Sequence, residues 1–428
     1  MPVVPIDRHQ LLNGLRVILS RDNRVPIVAV NLWYDVGSRH EKPGRTGFAH
    51  LFEHMMTQGS ANVGKGEHFS IVQAAGGTSN ASTWFDRTNY FETLPSHELE
   101  LALWLEADRL ASLLPAITQE KLDNQREVVK NERRWLVDNQ PYGTVDERMH
   151  ELLFPETHPY HHTHRGSMED LDAASLSDVT EFFSDYYAPN NAVLSVAGDF
   201  DPASALAMIE KHFGPIPRNP AIPTGPSTAL DAVLGEERRL EVADRVPLPR
   251  IYAAWRMPPF GTDGFNALDV AVDLLGTGRA SRLYRALIRE QQLAQDVAAF
   301  ALPFTGGAGV LTIEVTARPG VGHEALERAV FAEVGRLVDY GPSDEELDRV
   351  RNLRAASVES SLERVGERAD RLSQYTCLFD QPERINSEVS RYVAVDAVRV
   401  RTAMAATLRP DTRLVLTYLP VQSAERSR

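Results

Sequence analysis

Apolar residues along the first half of the chain follow two rhythms. Runs rich in β-branched residues at Val17–Ser20, Ile27–Tyr34 and Ala192–Ala197 predict strands. Apolar steps of three and four predict helices over Thr46–Gln58, Leu99–Leu113, Gln119–Val137 and Ser175–Tyr186. Strands and helices do not alternate strictly. The pattern therefore predicts an α+β fold, with helices packed on one face of a mainly antiparallel sheet.

The pattern then recurs. VPIVAVNLWYDVG, from Val25, is echoed by VPLPRIYAAWRMP, from Val246, at an offset of 221. APNNAVLSVAGD, from Ala188, is echoed by RPDTRLVLTYLP, from Arg409, again at 221. ITQEKLDNQR, from Ile117, is similar to PSDEELDRVR, from Pro342, at 225. Three matches in one order at near-constant spacing predict a duplicated domain of roughly 200 residues. Between the copies lies FGPIPRNPAIPTGPSTALD, residues 213–231, whose prolines and glycines cannot continue a helix or a central strand. The expected organisation is a domain over 1–215, a linker over 216–235 and a homologous domain over 236–428.

Composition narrows the function classes. Lys plus Arg total 45 against 59 for Asp plus Glu, a net charge of −14. A broad basic face for nucleic acid is thereby disfavoured. The single cysteine, Cys377, excludes an internal disulfide framework and any cysteine-rich zinc module. Amid SQYTCLFD it reads as a small core residue rather than a nucleophile. No apolar run reaches the ~18 residues of a membrane span. The opening MPVVPIDRHQ lacks the layout of a signal peptide, so a cytoplasmic location is expected, or a periplasmic one had a signal been removed.

The candidate chemistry centres on GFAHLFEHMMTQGS. Phe48, Leu51, Phe52, Met55 and Met56 form the buried face of the expected helix, and His50, Glu53, His54 and Thr57 form a second stripe. Histidines four apart stand one helical turn from each other, so both imidazoles can meet one ion. Glu53 then lies beside a water on that ion. H-x-x-E-H is the inverted form of the H-E-x-x-H zinc motif. Catalytic zinc takes three protein ligands and leaves a position open. The helix EKLDNQREVVKNERRWLVDN offers Glu120, Glu127 and Glu132 as the third. Leu122, Gln125, Val129, Glu132 and Leu136 share one apolar face, so Glu132 is expected to be buried, with an ion to compensate its charge. Glu127 is expected on a solvated face, paired with Lys130 or simply facing water. A competing histidine run, HPYHHTH, contains His158, His161, His162 and His164. It has a proline and no helical phase, and it reads as an exposed loop.

On these residues the chain resembles the pitrilysin/insulinase (M16) family of zinc peptidases. The likeness rests on His50–His54, on QREVVKNE ending in Glu132, and on GGTSNASTWFDRTNYFETLP from Gly76. It extends to APNNAVLSVAGD and LLGTGRASRLYRALIRE, and so covers nearly the whole chain. The length resembles the bacterial and mitochondrial processing-peptidase branch. The resemblance implies two homologous domains of the processing-peptidase/insulinase metallohydrolase type. It implies one Zn²⁺ per chain on His50, His54 and Glu132, with Glu53 as general base, and hydrolysis of unstructured peptides inside a chamber. It places Asn80, Ala81 and Thr83 on an edge strand that pairs with substrate backbone. The family often carries a glutamate seven residues before the last ligand, where this chain has Gln125.

The second copy departs from that pattern. At the common offset His50, Glu53 and His54 fall on Ala271, Leu274 and Leu275, and Glu132 falls near Leu353 or Ser357. Many members carry R-E-K-x-G-L-A-Y in this half, whose Arg and Tyr assist substrate binding. Here REQQLAQDV keeps Arg289, a substrate-binding residue by resemblance, and has Gln295 in place of the tyrosine. The departure implies that this chain is the zinc subunit of a heterodimer, with a related partner that lacks H-x-x-E-H and supplies Arg and Tyr. A homodimer is the alternative assembly. The alternative function is a non-catalytic structural subunit, against which the intact ligand set argues.

Overall fold

The computed structural model describes residues 3–421. In chain order the strands are β1 (Asp7–Gln10), β2 (Arg16–Arg21), β3 (Ile27–Tyr34), β4 (Thr78–Thr83), β5 (Thr88–Pro95), β6 (Ala192–Gly198), β7 (Arg238–Asp244), β8 (Arg250–Met257), β9 (Ala294–Leu302), β10 (Gly309–Ala317) and β11 (Leu414–Pro420). The helices of the first half are α1 (Phe48–Met55), α2 (Glu67–Ala74), α3 (Leu99–Ser112), α4 (Gln119–Arg133), α5 (Val145–Leu153), α6 (Met168–Asp172), α7 (Leu176–Tyr186) and α8 (Pro202–Phe213). Those of the second half are α9 (Asp263–Gly276), α10 (His323–Tyr340), α11 (Asp344–Glu363), α12 (Val365–Phe379), α13 (Glu388–Val393) and α14 (Ala397–Thr407).

Two sheets result. The first runs β1-β2-β6-β3-β5-β4 and the second β7-β11-β8-β10-β9. Each has one parallel pair, β2–β6 and β7–β11, and is otherwise antiparallel. The second order repeats the first without β1. Matching strands start 223 residues apart for Ile27 and Arg250, 222 for Ala192 and Leu414, and 221 for Thr88 and Gly309. The duplication read from three segments thus extends to sheet topology, and the fold is α+β.

The chain forms two compact units. One comprises residues up to Arg133, His162–Pro226 and Ser357–Glu388; the other comprises Arg134–His161, Ser227–Ala356 and the chain from Val389. No helix or strand lies between Phe213 and Arg238. The units nevertheless do not follow a simple division at the 216–235 linker. The α5 segment precedes the linker but packs on β8 and β11, and α12 follows it but packs on β3 and β6. Periodicity marks a helix as amphipathic without saying which sheet covers it. In the first unit Val28, Val30 and Leu32 face one core with α1 and α3, while Ala29 and Ala197 face Val365 and Ala369 of α12. To the helices on one face of this sheet the chain therefore adds α12 on the other.

Helix α1 is shorter than the expected Thr46–Gln58, because its start is set by Gly47 in the left-handed region at φ 83°. A Cβ there would come within 2.8 Å of the Arg165 carbonyl oxygen. Gly47 offers no side-chain cap, and the Glu41 carboxylate takes that role. It accepts from Gly47 N at 2.9 Å and Ala49 N at 2.8 Å, and lies 2.9 Å from His162 Nε2. Asp170 holds the preceding turn through Thr46 N at 2.9 Å and Thr46 Oγ1 at 2.6 Å. Likewise α4 ends at Arg133 rather than Val137, and passes into a π-helical turn over Arg134–Asp138.

Glu41→Ala is expected to lower the free energy of unfolding by about 2 kcal/mol, since two helix-start N–H groups and His162 lose a buried acceptor. Glu127→Ala, at a side chain 57% exposed, should change it by less than about 0.5 kcal/mol. Chemical denaturation of both variants checks the contrast.

Candidate metal centre

The apolar faces of α1 and α4 pack together, and this brings their polar residues into one place. His50 Nε2 lies 3.7 Å from Glu132 Oε1, and His54 Nε2 lies 3.4 Å from Glu132 Oε2. The two imidazole rings stand perpendicular, with centroids 4.9 Å apart. The three donor atoms all lie within 4.8 Å of one another. Zinc–ligand bonds of about 2.0–2.1 Å at tetrahedral angles put ligand atoms roughly 3.4 Å apart. The donor set therefore fits a single zinc ion: two imidazoles and a carboxylate, at separations too long for His50 to hydrogen-bond Glu132.

The surroundings tune these groups. Burial and the neighbouring His54 hold His50 down at about 4. For His54, burial also pulls downward, but the hydrogen bond to Glu132 and the charges of Glu53 and Glu132 outweigh it and raise the imidazole. The His54 contact in turn holds the Glu132 carboxyl below its ordinary range. Burial raises Glu53, opposed by a hydrogen bond with Thr83 and by the charges of His54 and Arg87. Glu53 is thus a desolvated carboxyl beside the ligand set and in contact with β4.

Glu132 occupies the expected register, but it is less buried than expected, with its side chain 30% exposed. It sits in the last turn of α4, where the packed stripe of Leu122, Gln125 and Val129 runs out. Glu127 is on the solvated face and pairs with Lys130 at 3.1 Å. Gln125, only 6% exposed, donates to Asn124 Oδ1 at 3.1 Å and lies near enough to His54 to help raise its imidazole. A metal-ligating histidine usually donates its second ring N–H to such a partner. Among the described residues His50 Nδ1 has no such partner. The signal for Gln125 in the sequence was a polar residue within an apolar stripe.

Among the described residues strand β4 is an edge strand, paired only with β5. Ala81 packs into the core on the α1 side and Thr83 meets Glu53 there, while Asn80 points to the opposite face. In the second unit Arg289 is exposed in a π-helical turn, Tyr284–Glu290, and Gln295 is exposed on the edge strand β9. Ala271, Leu274 and Leu275 are fully buried in α9.

The run HPYHHTH corrects an expectation, since none of its four histidines is exposed. His158 Nε2 lies 3.2 Å from Thr228 O, His161 Nδ1 lies 2.9 Å from Phe154 O, and His162 holds Glu41. His164 packs between Trp84 and His50, with ring centroids at 5.2 and 6.0 Å. These rings are spent on local hydrogen bonds and packing. Cys377 is no nucleophile, as burial pushes its thiol up to about 12.

A second trio, His68, Glu92 and Glu106, escaped the sequence reading. Its members come from α2, β5 and α3, so no spacing announces them. All three are buried. Here His68 Nε2 lies 2.8 Å from Glu92 Oε1, and Arg109 donates to Glu106. Burial raises Glu106 to about 8 and lowers His68 to about 4. Hydrogen-bond distances and a guanidinium make this a closed polar cluster, unlike the open spacing at His50, His54 and Glu132.

Comparison with known proteins gives the family. Residues 16–164 match the profile of insulinase (peptidase family M16), and residues 173–354 match that of the peptidase M16 inactive domain. The zinc protease PqqE of Helicobacter pylori is 32% identical over 368 residues, 85% of this chain and 82% of that protein. The zinc protease YmxG of Bacillus subtilis, itself uncharacterized, is 24% identical over 96% of this chain and 98% of its own length. The crystal structure of a protease from Helicobacter pylori matches with a TM-score of 0.90 at 27% identity, covering 98% of this chain and 100% of that one. A peptidase M16 inactive domain from Pseudomonas fluorescens, at 19% identity, shares the fold with a TM-score of 0.85. Among the described residues no helix is long and apolar enough to cross a membrane. This chain belongs to the M16 (insulinase) family of peptidases.

Proposed function

We propose that this chain is a zinc metalloendopeptidase acting on unstructured peptides, with one Zn²⁺ on His50, His54 and Glu132. The observation that carries the reading is the convergence of those three groups, with Glu53 between them and the edge strand β4. Zinc in such a site supplies Lewis acidity toward a water and a carbonyl. Peptide backbone joins β4 as an added strand, using main-chain hydrogen bonds that make little demand on side chains. Glu53 takes a proton from the attacking water and returns it to the leaving amine. Its desolvated setting raises the carboxyl and so makes it a stronger base toward that water. Thr83 orients that carboxyl from β4.

The same reading makes this chain the zinc subunit of a heterodimer. What supports it is Gln295, exposed on β9 where the family's tyrosine is absent, together with Ala271, Leu274 and Leu275 of α9, buried apolar residues at the places of the motif. A related subunit without H-x-x-E-H supplies Arg and Tyr, of which this chain lacks the Tyr.

Three outcomes follow. Glu53→Gln should retain zinc and lose about 10²–10⁴-fold in peptide turnover; metal analysis alongside a fluorogenic assay reads both. Zinc titration of the apo chain should saturate at one ion, with affinity falling as pH is lowered through the raised pKa of His54, because protons then compete for a ligand. A second tight ion that is lost in Glu106→Gln would place metal at the other cluster as well. The purified zinc-loaded chain should cleave peptides weakly, and a related subunit should restore activity. Full turnover by the chain alone contradicts the heterodimer.

A further inference from the structure

We propose that the groove between β4 and the first turn of α12 receives alternate side chains of the bound peptide and selects lysine or arginine there. The proposal rests on the peptidase reading above. A peptide added to an edge strand continues its pleat, so every second side chain points to one face of the sheet. On β4, Ala81 and Thr83 point toward α1 and Glu53. Thr78, Asn80 and Ser82 point the other way, in register with Thr93, Phe91 and Asn89 of β5. Those residues line a cavity of about 770 Å³ in the first unit, whose other wall includes Glu363, Glu367 and Asp370. Peptide side chains directed away from the Glu53 face lie over this groove.

The charges in the groove select the ligand chemistry. Three carboxylates face two guanidinium groups that are already committed. Arg87 Nη1 donates to Ser82 O at 2.7 Å and to Ser82 Oγ at 2.6 Å. Arg364, 65% exposed, pairs with Glu367 at 3.5 Å. Asp370 is the residue out of balance. It accepts from Trp33 Nε1 at 2.8 Å, Asn89 Nδ2 at 3.1 Å and Asn31 Nδ2 at 3.3 Å, all at Oδ1. Among the described residues no donor reaches Oδ2, and no cation pairs directly with this carboxylate. Burial lifts its carboxyl above the ordinary range, although Trp33, Arg87 and Asn31 act in the other direction. Asp370 is half-buried at the cavity wall, and a carboxylate oxygen left there without a protein donor accepts most strongly from a charged one. An ammonium or guanidinium on the peptide provides that donor, with Glu363 and Glu367 at the rim attracting it.

The test uses the zinc-loaded full chain carrying Glu53→Gln, so that peptide is bound without being consumed. Three fluorescent peptides of about ten residues are titrated by anisotropy. One alternates threonine and lysine, one has the same composition in two blocks, and one alternates threonine and glutamate. The alternating lysine peptide should bind about tenfold more tightly than the blocked one, and the glutamate peptide most weakly. Asp370→Asn keeps the oxygen that serves Trp33, Asn31 and Asn89 but puts a donor toward the groove, and should erase most of the difference. Glu367→Gln, at an exposed side chain, should reduce it without any effect on folding. Equal binding of the two lysine peptides, or a preference that survives both substitutions, overturns the groove while leaving pairing to β4 intact. Failure of all three peptides to bind overturns the peptidase reading and this proposal with it.

Discussion

A helix of eight residues is too short to hold its own shape in water, and α1, which carries both histidines and Glu53, has eight. Its form is imposed from outside. The Glu41 carboxylate closes its first turn, His162 holds Glu41, and Asp170 fixes the turn before it. The positive end of the helix dipole favours a carboxylate at that place. Packing of Phe48, Leu51, Phe52 and Met55 against the core then fixes the rotation of α1. Only with both start and rotation fixed do His50 and His54 face Glu132 across the α1–α4 joint at ligand spacing. The same loop reaches the other helix, because Arg133 Nη1 donates to Gly166 O at 2.7 Å, one residue beyond Glu132. One short segment thus steadies both sources of ligands.

The parts legible in the sequence were those governed by local periodicity. Strand β3 matches its apolar run residue for residue, and α4 and α7 begin within one residue of their expected starts. The two histidines and Glu53 lie on one turn, so their spacing alone carries the chemistry. Glu132 was legible because its helix has a clear apolar stripe with one carboxylate in it. The supporting groups were not legible, for a physical reason. His162 lies 121 residues from Glu41, and Asp170 lies 124 from Thr46. Such pairs are brought together by the tertiary fold and leave no periodic trace. The histidine run illustrates the point: four imidazoles in seven residues look like a metal site, yet each is spent within the fold. The placement of α12 was hidden in the same way, since its amphipathic face does not name the sheet it covers.

The two units show how one scaffold supports different chemistry. In the element order α9 and α11 hold the places that α1 and α4 hold in the first half. The first joint presents two imidazoles, one turn apart, to a carboxylate on the second helix. The second joint carries Asp269 and Asp273, also one turn apart on α9, and Arg354 on α11 bonds to both. Tyr392 adds a hydrogen bond to Asp269 at 2.8 Å, and the Arg354 guanidinium lies 4.6 Å from its ring. In each case a helix pair with a polar trio between its members needs a positive charge to close it. In the second unit that charge is covalently part of the chain, and in the first the ligand spacing calls for an ion. A built-in guanidinium gives a joint that folds without metal but leaves no open coordination position. The ion of the proposed function would give one, at the cost of a joint that depends on zinc. On the proposed function, the division of labour between the halves lies in which cation closes the same helix pair, and chemistry belongs to the half whose cation has a position to spare.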